Sequence, residues 1–205
     1  MTSELFYRKL LESYNFKAIN TYISKIVYYI IDSKYREVKR IDKFLSEQLI
    51  NPPPELVNLA SKLTIYINKK IDADKTIINI LKWTVKNIEY VSDKINFGSV
   101  EYWATALETF KKKKDDCDGI NAFIDIIARL AGIHQYQLFC RLGYAGGEYH
   151  YYLTYFSIKL RKWFAIDGTY YADFTPLLKR NVLGFLGYYS KPNYIFNEEI
   201  SFKII

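Results

Sequence analysis

The chain contains two cysteines and two histidines, and one residue of each kind lies in a segment suited to nucleophilic catalysis. Cys117 follows Asp115 and Asp116, either of which can cap a helix, and it opens a segment whose periodicity predicts a helix to Leu130. The helix start and the upstream lysines would favour the thiolate, which is the nucleophilic form, whereas the adjoining aspartates would oppose it. A cysteine in such a place can also be a small buried apolar residue, so Cys117 alone defines no active site.

His150 lies in residues 148–156, whose alternating pattern predicts a β-strand, and Asp167 ends the next strand-like segment. If the two strands form a hairpin with its tip at residues 158–159, His150 lies directly opposite Asp167. An aspartate bound to one imidazole nitrogen would fix the tautomer and leave the other nitrogen for a thiol. In this register the other opposed pairs are Leu153 with Phe164 and Tyr151 with Ile166.

These three residues together fit the logic of a Cys-His-Asp triad, with the nucleophile on a helix start and the base and acid on neighbouring strands. The second cysteine and the second histidine fit other roles. Cys140 lies in an apolar strand and is predicted to be buried and inert. His134 follows a helix end and is predicted to be a turn or surface residue. The chain has neither the Cys-x-x-Cys or His-x-x-x-His spacing of metal sites nor a glycine-rich phosphate loop. We therefore expect no metal and no cofactor.

The elements that must position these residues change character along the chain. The first fifty residues have helical periodicity, and the prolines at 52–54 interrupt it. Further helices are predicted at residues 55–68, after an aspartate cap at Asp72 or Asp74, and at residues 101–110. From residue 135 to 167 the period changes to two, which predicts three strands separated by turns.

This order of elements predicts an α+β fold in which the helix that begins at Cys117 packs against an antiparallel sheet. Residues 1–54 are interpreted as an N-terminal helical extension and residues 55–205 as the catalytic domain. The tail after Pro176 is mixed in character, with one more apolar segment at residues 182–189.

The composition and net charge indicate which binding partners and which cellular location to expect. Half of the 205 residues are hydrophobic and a quarter are charged, as in ordinary globular proteins. The net charge of +7 is modest, and its only dense basic run is at residues 111–114, so nucleic acid is not an expected partner. No apolar segment is long enough to span a membrane and no secretory signal is recognised, which favours a cytoplasmic protein with reduced thiols. The sequence does not predict the oligomeric state.

The order of these segments resembles the transglutaminase-like superfamily, which shares its core with papain-like proteases. The resemblance runs from about Ile77 to Tyr171, and its segments are residues 103–109, 116–119, 127–133, 149–152 and 165–169. The chain is also similar to the bacterial transglutaminase-like cysteine peptidases, which often carry a Tyr-Trp pair before the cysteine helix, here Tyr102-Trp103. It departs from the family at Asp115, where a glycine is common.

The resemblance implies that Cys117 attacks an amide carbonyl, that His150 transfers the proton and that Asp167 orients His150. The expected substrate is a protein or peptide, and both hydrolysis and transamidation of a thioester acyl-enzyme remain open, with hydrolysis favoured by the resemblance. Candidates for the wall of the substrate cleft are Trp103, Tyr102 and Tyr152. The alternative is a non-catalytic module that keeps the fold and binds protein or nucleic acid.

Overall fold

The computed structural model describes residues 41–160, 162–170, 194–198 and 201–203, and the structural statements below concern those residues. The helical pattern before residue 41 and the apolar segment at 182–189 lie outside the described residues.

The described α-helices are α1 (Ile41–Ile50), α2 (Pro54–Leu63), α3 (Ala73–Asn87), α4 (Asp93–Asn96), α5 (Ala106–Lys112) and α6 (Cys117–Leu130). Local caps fix several of their ends. Asp72 accepts a hydrogen bond from the Lys75 amide at the start of α3, which confirms an aspartate cap there. After α6 the chain turns at Gly132 with a φ of +83°, which confirms the predicted glycine at the helix end.

Two helix predictions were wrong in their bounds. The helix predicted at 101–110 begins only at Ala106, because Thr105 and Glu108 form a reciprocal capping box, and Trp103 lies before it. The helix predicted at 55–68 ends at Leu63. The chain then forms a two-stranded hairpin of β1 (Tyr66–Ile67) and β2 (Lys70–Ile71), with both turn residues at positive φ.

The main sheet contains five strands, β5 (Leu138–Ala145), β6 (Glu148–Ser157), β7 (Lys162–Ile166), β8 (Tyr194–Phe196) and β9 (Ser201–Lys203). The sheet is antiparallel, and its strands have the order β7-β6-β5-β8-β9. The three strands predicted from the alternating pattern are confirmed, whereas β8 and β9 were not predicted. A small parallel pair, β3 (Glu89–Tyr90) and β4 (Lys114–Asp115), lies directly before Cys117.

The register of the β6–β7 hairpin differs from the predicted one by two residues. Leu153 pairs with Ile166 rather than with Phe164, and Ser157 pairs with Lys162. The connection therefore spans residues 158–161, and no Asn-Gly or similar signature could have fixed its length from the sequence. A slip of two residues keeps every side chain on its own face of the sheet, so His150 and Asp167 become diagonal neighbours instead of directly opposed ones.

Helix α6 lies at the centre of the molecule and packs on one face of the sheet, where the core residues of β6 are Tyr151, Leu153 and Tyr155. This confirms the α+β arrangement of a central helix on an antiparallel sheet. Helix α1, which precedes the prolines, also packs against α6 and buries Phe44 and Leu45 in the same core. The boundary at residue 54 stays a prediction. No helix within the described ranges is long and apolar enough to cross a membrane.

Candidate active site

Cys117 is the first residue of α6, where its position is set by the helix cap. The side chain of Asp116 accepts a hydrogen bond from the backbone amide of Asp118 and so caps the helix. The thiol is half-buried, and the backbone amide of Tyr151 on β6 donates a hydrogen bond to it. Because Tyr151 follows His150 in the chain, this contact ties the start of the helix to the strand that carries the histidine.

His150 and Asp167 form a buried hydrogen-bonded pair. Nε2 of His150 lies 2.8 Å from Oδ2 of Asp167, and the two side chains are 2% and 0% exposed. The other carboxylate oxygen, Oδ1, accepts from the backbone amide of Thr169 at 2.9 Å, which fixes the orientation of the carboxylate. The imidazole stacks parallel to Tyr152 with ring centroids 6.2 Å apart, and Tyr170 lies 4.5 Å away.

The fold thus brings all three predicted residues to one end of α6. Asn121, one turn after Cys117, links the start of α6 to β6, since its Nδ2 donates to the carbonyl oxygens of Cys117 and Tyr151 at 3.0 and 2.9 Å. In the part of the chain that the structure describes, no hydrogen bond joins the Cys117 thiol to the imidazole of His150. Catalytic hydrogen bonds are often long without substrate and shorten when it binds.

The electrostatic environment disfavours an isolated thiolate. Burial, followed by the negative charge of Asp116, raises the pKa of Cys117 well above its ordinary value, and the amide of Tyr151 only partly offsets this. Of the two opposing effects named from the sequence, the carboxylates and burial outweigh the helix start and the nearby lysines, because the thiol is desolvated among carboxylates. A thiolate here needs a proton acceptor, or a cation, close by.

Three carboxylates meet beside the nucleophile. Asp93 at the start of α4, Asp115 on β4 and Asp116 each present an oxygen within 4.8 Å of the others. Asp93 is 1% exposed, and its Oδ1 has no hydrogen-bond partner among the described residues. Burial and the charge of Asp116 raise the pKa of Asp93 to about 8, and burial raises the pKa of Asp115 to about 7. No spacing motif in the sequence indicates this group, because Asp93 is distant from the others along the chain.

Asp115, the departure from the family pattern, is accommodated by a glycine on the helix. Its carboxylate accepts from the Thr109 hydroxyl at 2.6 Å and from the Asp116 amide at 3.1 Å. A Cβ atom on Gly119 would lie 2.2 Å from Cγ of Asp115. The absence of a side chain at position 119 therefore provides the space that Asp115 fills.

The three residues proposed as cleft walls are all buried. Tyr102, Trp103 and Tyr152 are 6%, 2% and 0% exposed, and Nε1 of Trp103 donates to Glu101. Their role in binding substrate stays a prediction. Two tyrosines that the sequence analysis missed are more accessible: Tyr90 and Tyr170 are 55% and 42% exposed. Burial raises the pKa of both, and the proximity of Cys117 raises it further.

The remaining cysteine and histidine lie away from these contacts. Cys140 is completely buried in β5, as predicted. His134 is exposed and caps a 3₁₀ turn at Gln135–Gln137.

Comparison with known proteins extends the resemblance read from the sequence. Residues 55–140 match a family model described as a transglutaminase-like domain. None of the curated proteins compared with the chain matches it.

Solved structures of LapG from Legionella pneumophila share the fold. One is 18% identical with a TM-score of 0.53, and the match covers 79% of this chain and 86% of LapG. An EGTA-treated form is 17% identical with a TM-score of 0.52 over 79% of this chain and 84% of that one. Residues 55–140 are thus similar to a transglutaminase-like domain, and the chain shares the fold of LapG.

Proposed function

We propose that the protein is a cysteine peptidase or amidase, or a protein transamidase, that acts on an amide bond of a protein or peptide. Cys117 is the nucleophile, His150 the general base and acid, and Asp167 the residue that orients His150. The observation that carries the proposal is the buried hydrogen bond of 2.8 Å between His150 and Asp167, on the strand whose next amide contacts the Cys117 thiol.

The chemistry follows from the direction of that bond. With Nε2–H donated to Asp167, Nδ1 of His150 is the acceptor for the thiol proton. As the proton leaves, Sγ of Cys117 bonds to the carbonyl carbon and an oxyanion forms. The imidazolium then returns the proton to the departing nitrogen while the C–N bond breaks, which leaves a thioester on Cys117.

The second half of the cycle decides the reaction type. Water loses a proton to His150 and attacks the thioester, which releases a carboxylic acid and the thiol; an amine in place of water gives a new amide. The backbone amide of Cys117, at the open N-terminus of α6, is the simplest donor to the oxyanion.

Selective alkylation tests the nucleophile. Brief treatment with iodoacetamide near neutral pH should label Cys117 much faster than Cys140, because only Cys117 is accessible and has a histidine nearby. Mass spectrometry measures the two rates, and His150→Ala should slow the labelling of Cys117. Equal labelling of both cysteines would contradict the proposal and favour the alternative, a non-catalytic binding module that keeps the fold.

We also propose that a divalent cation such as Ca²⁺ binds at Asp93, Asp115 and Asp116. The residues fit such an ion, since hard cations prefer carboxylate oxygens and Oδ1 of Asp93 is buried with no hydrogen-bond partner in the described part of the chain. This differs from the sequence-based expectation of no metal. A bound cation would supply positive charge beside Cys117 and so offset the carboxylates that raise the pKa of its thiol.

Thermal unfolding tests the cation site without an activity assay. Excess CaCl₂ should raise the Tm of the wild-type protein relative to excess EGTA, because a ligand that binds only the folded state stabilises it. Asp93→Asn should remove most of this shift, whereas Glu47→Gln, on the exposed face of α1, should keep it. A Tm that does not respond to calcium would exclude the site.

A further inference from the structure

Asn121 occupies a junction between the three elements that carry the proposed triad. It is completely buried on α6, one turn after Cys117. Its Nδ2 lies 3.0 Å from the carbonyl oxygen of Cys117 and 2.9 Å from that of Tyr151, and its Oδ1 accepts from the amide of Gly168 at 2.9 Å. The first partner is the nucleophile itself, and the other two directly follow His150 and Asp167 in the chain.

The orientation of this amide is determined by its partners. Reversing the group would place Oδ1 against the carbonyl oxygens of Cys117 and Tyr151 and would place the NH₂ against the amide of Gly168, so every contact would become repulsive. Nδ2 has two protons, which the two carbonyls use. The longer contact of 3.3 Å to Oδ1 of Asp167 adds an electrostatic attraction between the amide and the carboxylate.

The contact with β6 replaces a missing part of the sheet. Strand β7 ends at Ile166, opposite Leu153, so the backbone of Tyr151 lies beyond the β6–β7 ladder. Buried backbone groups need partners. The Tyr151 carbonyl accepts a hydrogen bond from Nδ2 of Asn121, and the Tyr151 amide donates one to the Cys117 thiol. The segment that carries His150 is thus held at its free edge by two side chains of α6.

Asn121 can contact the loop after β7 because the backbone of that loop lies very close to α6. A Cβ atom on Gly168 would lie 2.6 Å from Cγ2 of Ile120 and 2.9 Å from Cδ1 of Ile124, so the loop touches α6 directly. At this distance Oδ1 of Asn121 reaches the Gly168 amide. The backbone that follows Asp167 therefore has its position set by the same side chain that holds the other two elements.

We infer that Asn121 is a positioning residue of the proposed active site, which aligns the Cys117 thiol, His150 and Asp167 by bonding to the backbone at or next to each of them. The inference rests on the proposed function, because alignment matters only if these three residues react together. Asn121 does not touch the reacting atoms, and its effect is on the geometry that lets His150 accept the thiol proton.

The rate of Cys117 alkylation across pH 5 to 9, roughly the range over which histidines and thiols titrate, reports this alignment directly. Asn121→Ala should lower the rate near neutral pH by ~10-fold or more, since small misplacements of catalytic groups have effects of this size. Asn197→Ala is the matched control. It removes another fully buried asparagine, which donates to the Gln135 carbonyl at 3.2 Å away from the site. It should lower the Tm but leave the rate profile of Cys117 unchanged.

A second variant covers the case in which Asn121→Ala does not fold. Asn121→Asp keeps the shape but, when ionised, places a negative charge against two carbonyls and Asp167, so Cys117 should react more slowly than in the wild type at neutral pH. When protonated it can donate again, and the deficit should shrink as the pH falls. If the folded Asn121 variants keep the wild-type profile of Cys117 reactivity, Asn121 has a structural role only and the inference is overturned.

His150→Ala separates this outcome from a failure of the proposed function. If His150→Ala alters the pH profile of Cys117 and the Asn121 variants do not, only the positioning role fails. If His150→Ala also leaves the profile unchanged, the thiol and the imidazole do not react together, and the proposed function and the inference fail together.

Discussion

At the scale of single residues, the two oxygens of Asp167 have separate tasks. Oδ2 accepts from His150, whereas Oδ1 accepts from the backbone amides of Thr169 and Tyr170 at 2.9 and 3.4 Å. An asparagine at this position would keep its single oxygen on those backbone donors. Its NH₂ would then face Nε2 of His150 and hold the proton on Nδ1, which is the tautomer that cannot accept the thiol proton.

Asp167→Asn should therefore preserve the fold and lower turnover. The equivalent change in a serine-protease triad lowers turnover by ~10⁴-fold. A thiol loses less, because a thiolate–imidazolium pair can form before substrate arrives, so we expect a loss of ~10- to 1000-fold. The loss is measured as the turnover of a peptide or protein amide by the wild type and by Asp167→Asn, and an unchanged Tm of the variant shows that its fold is preserved. Unchanged turnover would show that Asp167 does not orient the base.

The sequence identified the residues with distinctive chemistry and missed those whose role depends on distant contacts. Cys117 and His150 could be chosen because each is one of two residues of its type and lies at a recognisable place in an element. Asn121 and Asp93 have no such local signature. Asp93 meets the other carboxylates only because β3 and β4 pair, and a single sequence does not show that pairing.

At the scale of elements, local sequence signals predicted where helices begin and end, whereas tertiary contacts determined the register of the strands. The aspartate cap of α3 and Gly132 after α6 are short-range features and were predicted. The Thr105–Glu108 capping box of α5 is equally local, and reading it would have given the correct start of that helix. The register of β6 against β7 could not be read, because the length of their connection is set by packing of the strands and not by a turn motif.

The space around Gly119 gives an element-scale prediction. Replacing a glycine by alanine inside an exposed helix stabilises by about 1 kcal/mol. Here the new Cβ would lie 2.2 Å from Cγ of the buried Asp115, so Gly119→Ala should instead destabilise by about 1–3 kcal/mol. In an Asp115→Ala background the same change should be neutral or stabilising. Urea denaturation of the wild type, the two single variants and the double variant measures the coupling between the two positions. If Gly119→Ala changes the free energy of unfolding equally in both backgrounds, the steric explanation is contradicted.

The carboxylates shared by α4, β4 and α6 should make stability fall as pH rises. The pKa values of Asp93 and Asp115 are raised to about 8 and about 7, far above those of the unfolded chain. Between pH ~4 and ~8 the folded state consequently binds more protons than the unfolded state, and the free energy of unfolding decreases with pH.

Asp93→Asn removes one of these groups. In EGTA it should stabilise the protein at pH 8, relative to its effect at pH 5, by about 1–3 kcal/mol, since one unit of pKa shift corresponds to ~1.4 kcal/mol. Denaturant unfolding at the two pH values measures the difference, with Glu47→Gln on the surface of α1 as the control that should show none. An equal effect of Asp93→Asn at both pH values would mean that the Asp93 carboxylate is ionised throughout.

At the scale of the whole molecule, the net charge does not describe the site. The chain carries +7, yet the charges that act on the Cys117 thiol come from Asp116, Asp167 and Glu101. Net charge predicts long-range behaviour, whereas the state of a half-buried thiol depends on groups within a few ångströms.

The extent of the folded domain that carries Cys117 is a property of the whole molecule, and the contacts of α1 bear on it. The prolines at 52–54 suggested a boundary, but Leu45 on α1 is completely buried and packs in the core formed around α6. In addition, Gln48 accepts a hydrogen bond from the Ala106 amide at the start of α5. Because of these contacts we expect α1 to unfold together with the rest of the molecule.

Leu45→Ala should accordingly lower the free energy of unfolding of the whole protein by about 2–5 kcal/mol, because it leaves a cavity in a shared core. Ile50→Ala, at an exposed position of the same helix, should change it by less than ~0.5 kcal/mol. Denaturant unfolding followed by tryptophan fluorescence measures both, since Trp103 contacts α1 through Phe44. If Leu45→Ala leaves the midpoint unchanged, α1 belongs to a separable extension and the domain that carries Cys117 begins after the prolines. If the midpoint falls as expected, the helix before the prolines is part of the structure that holds Cys117 in place.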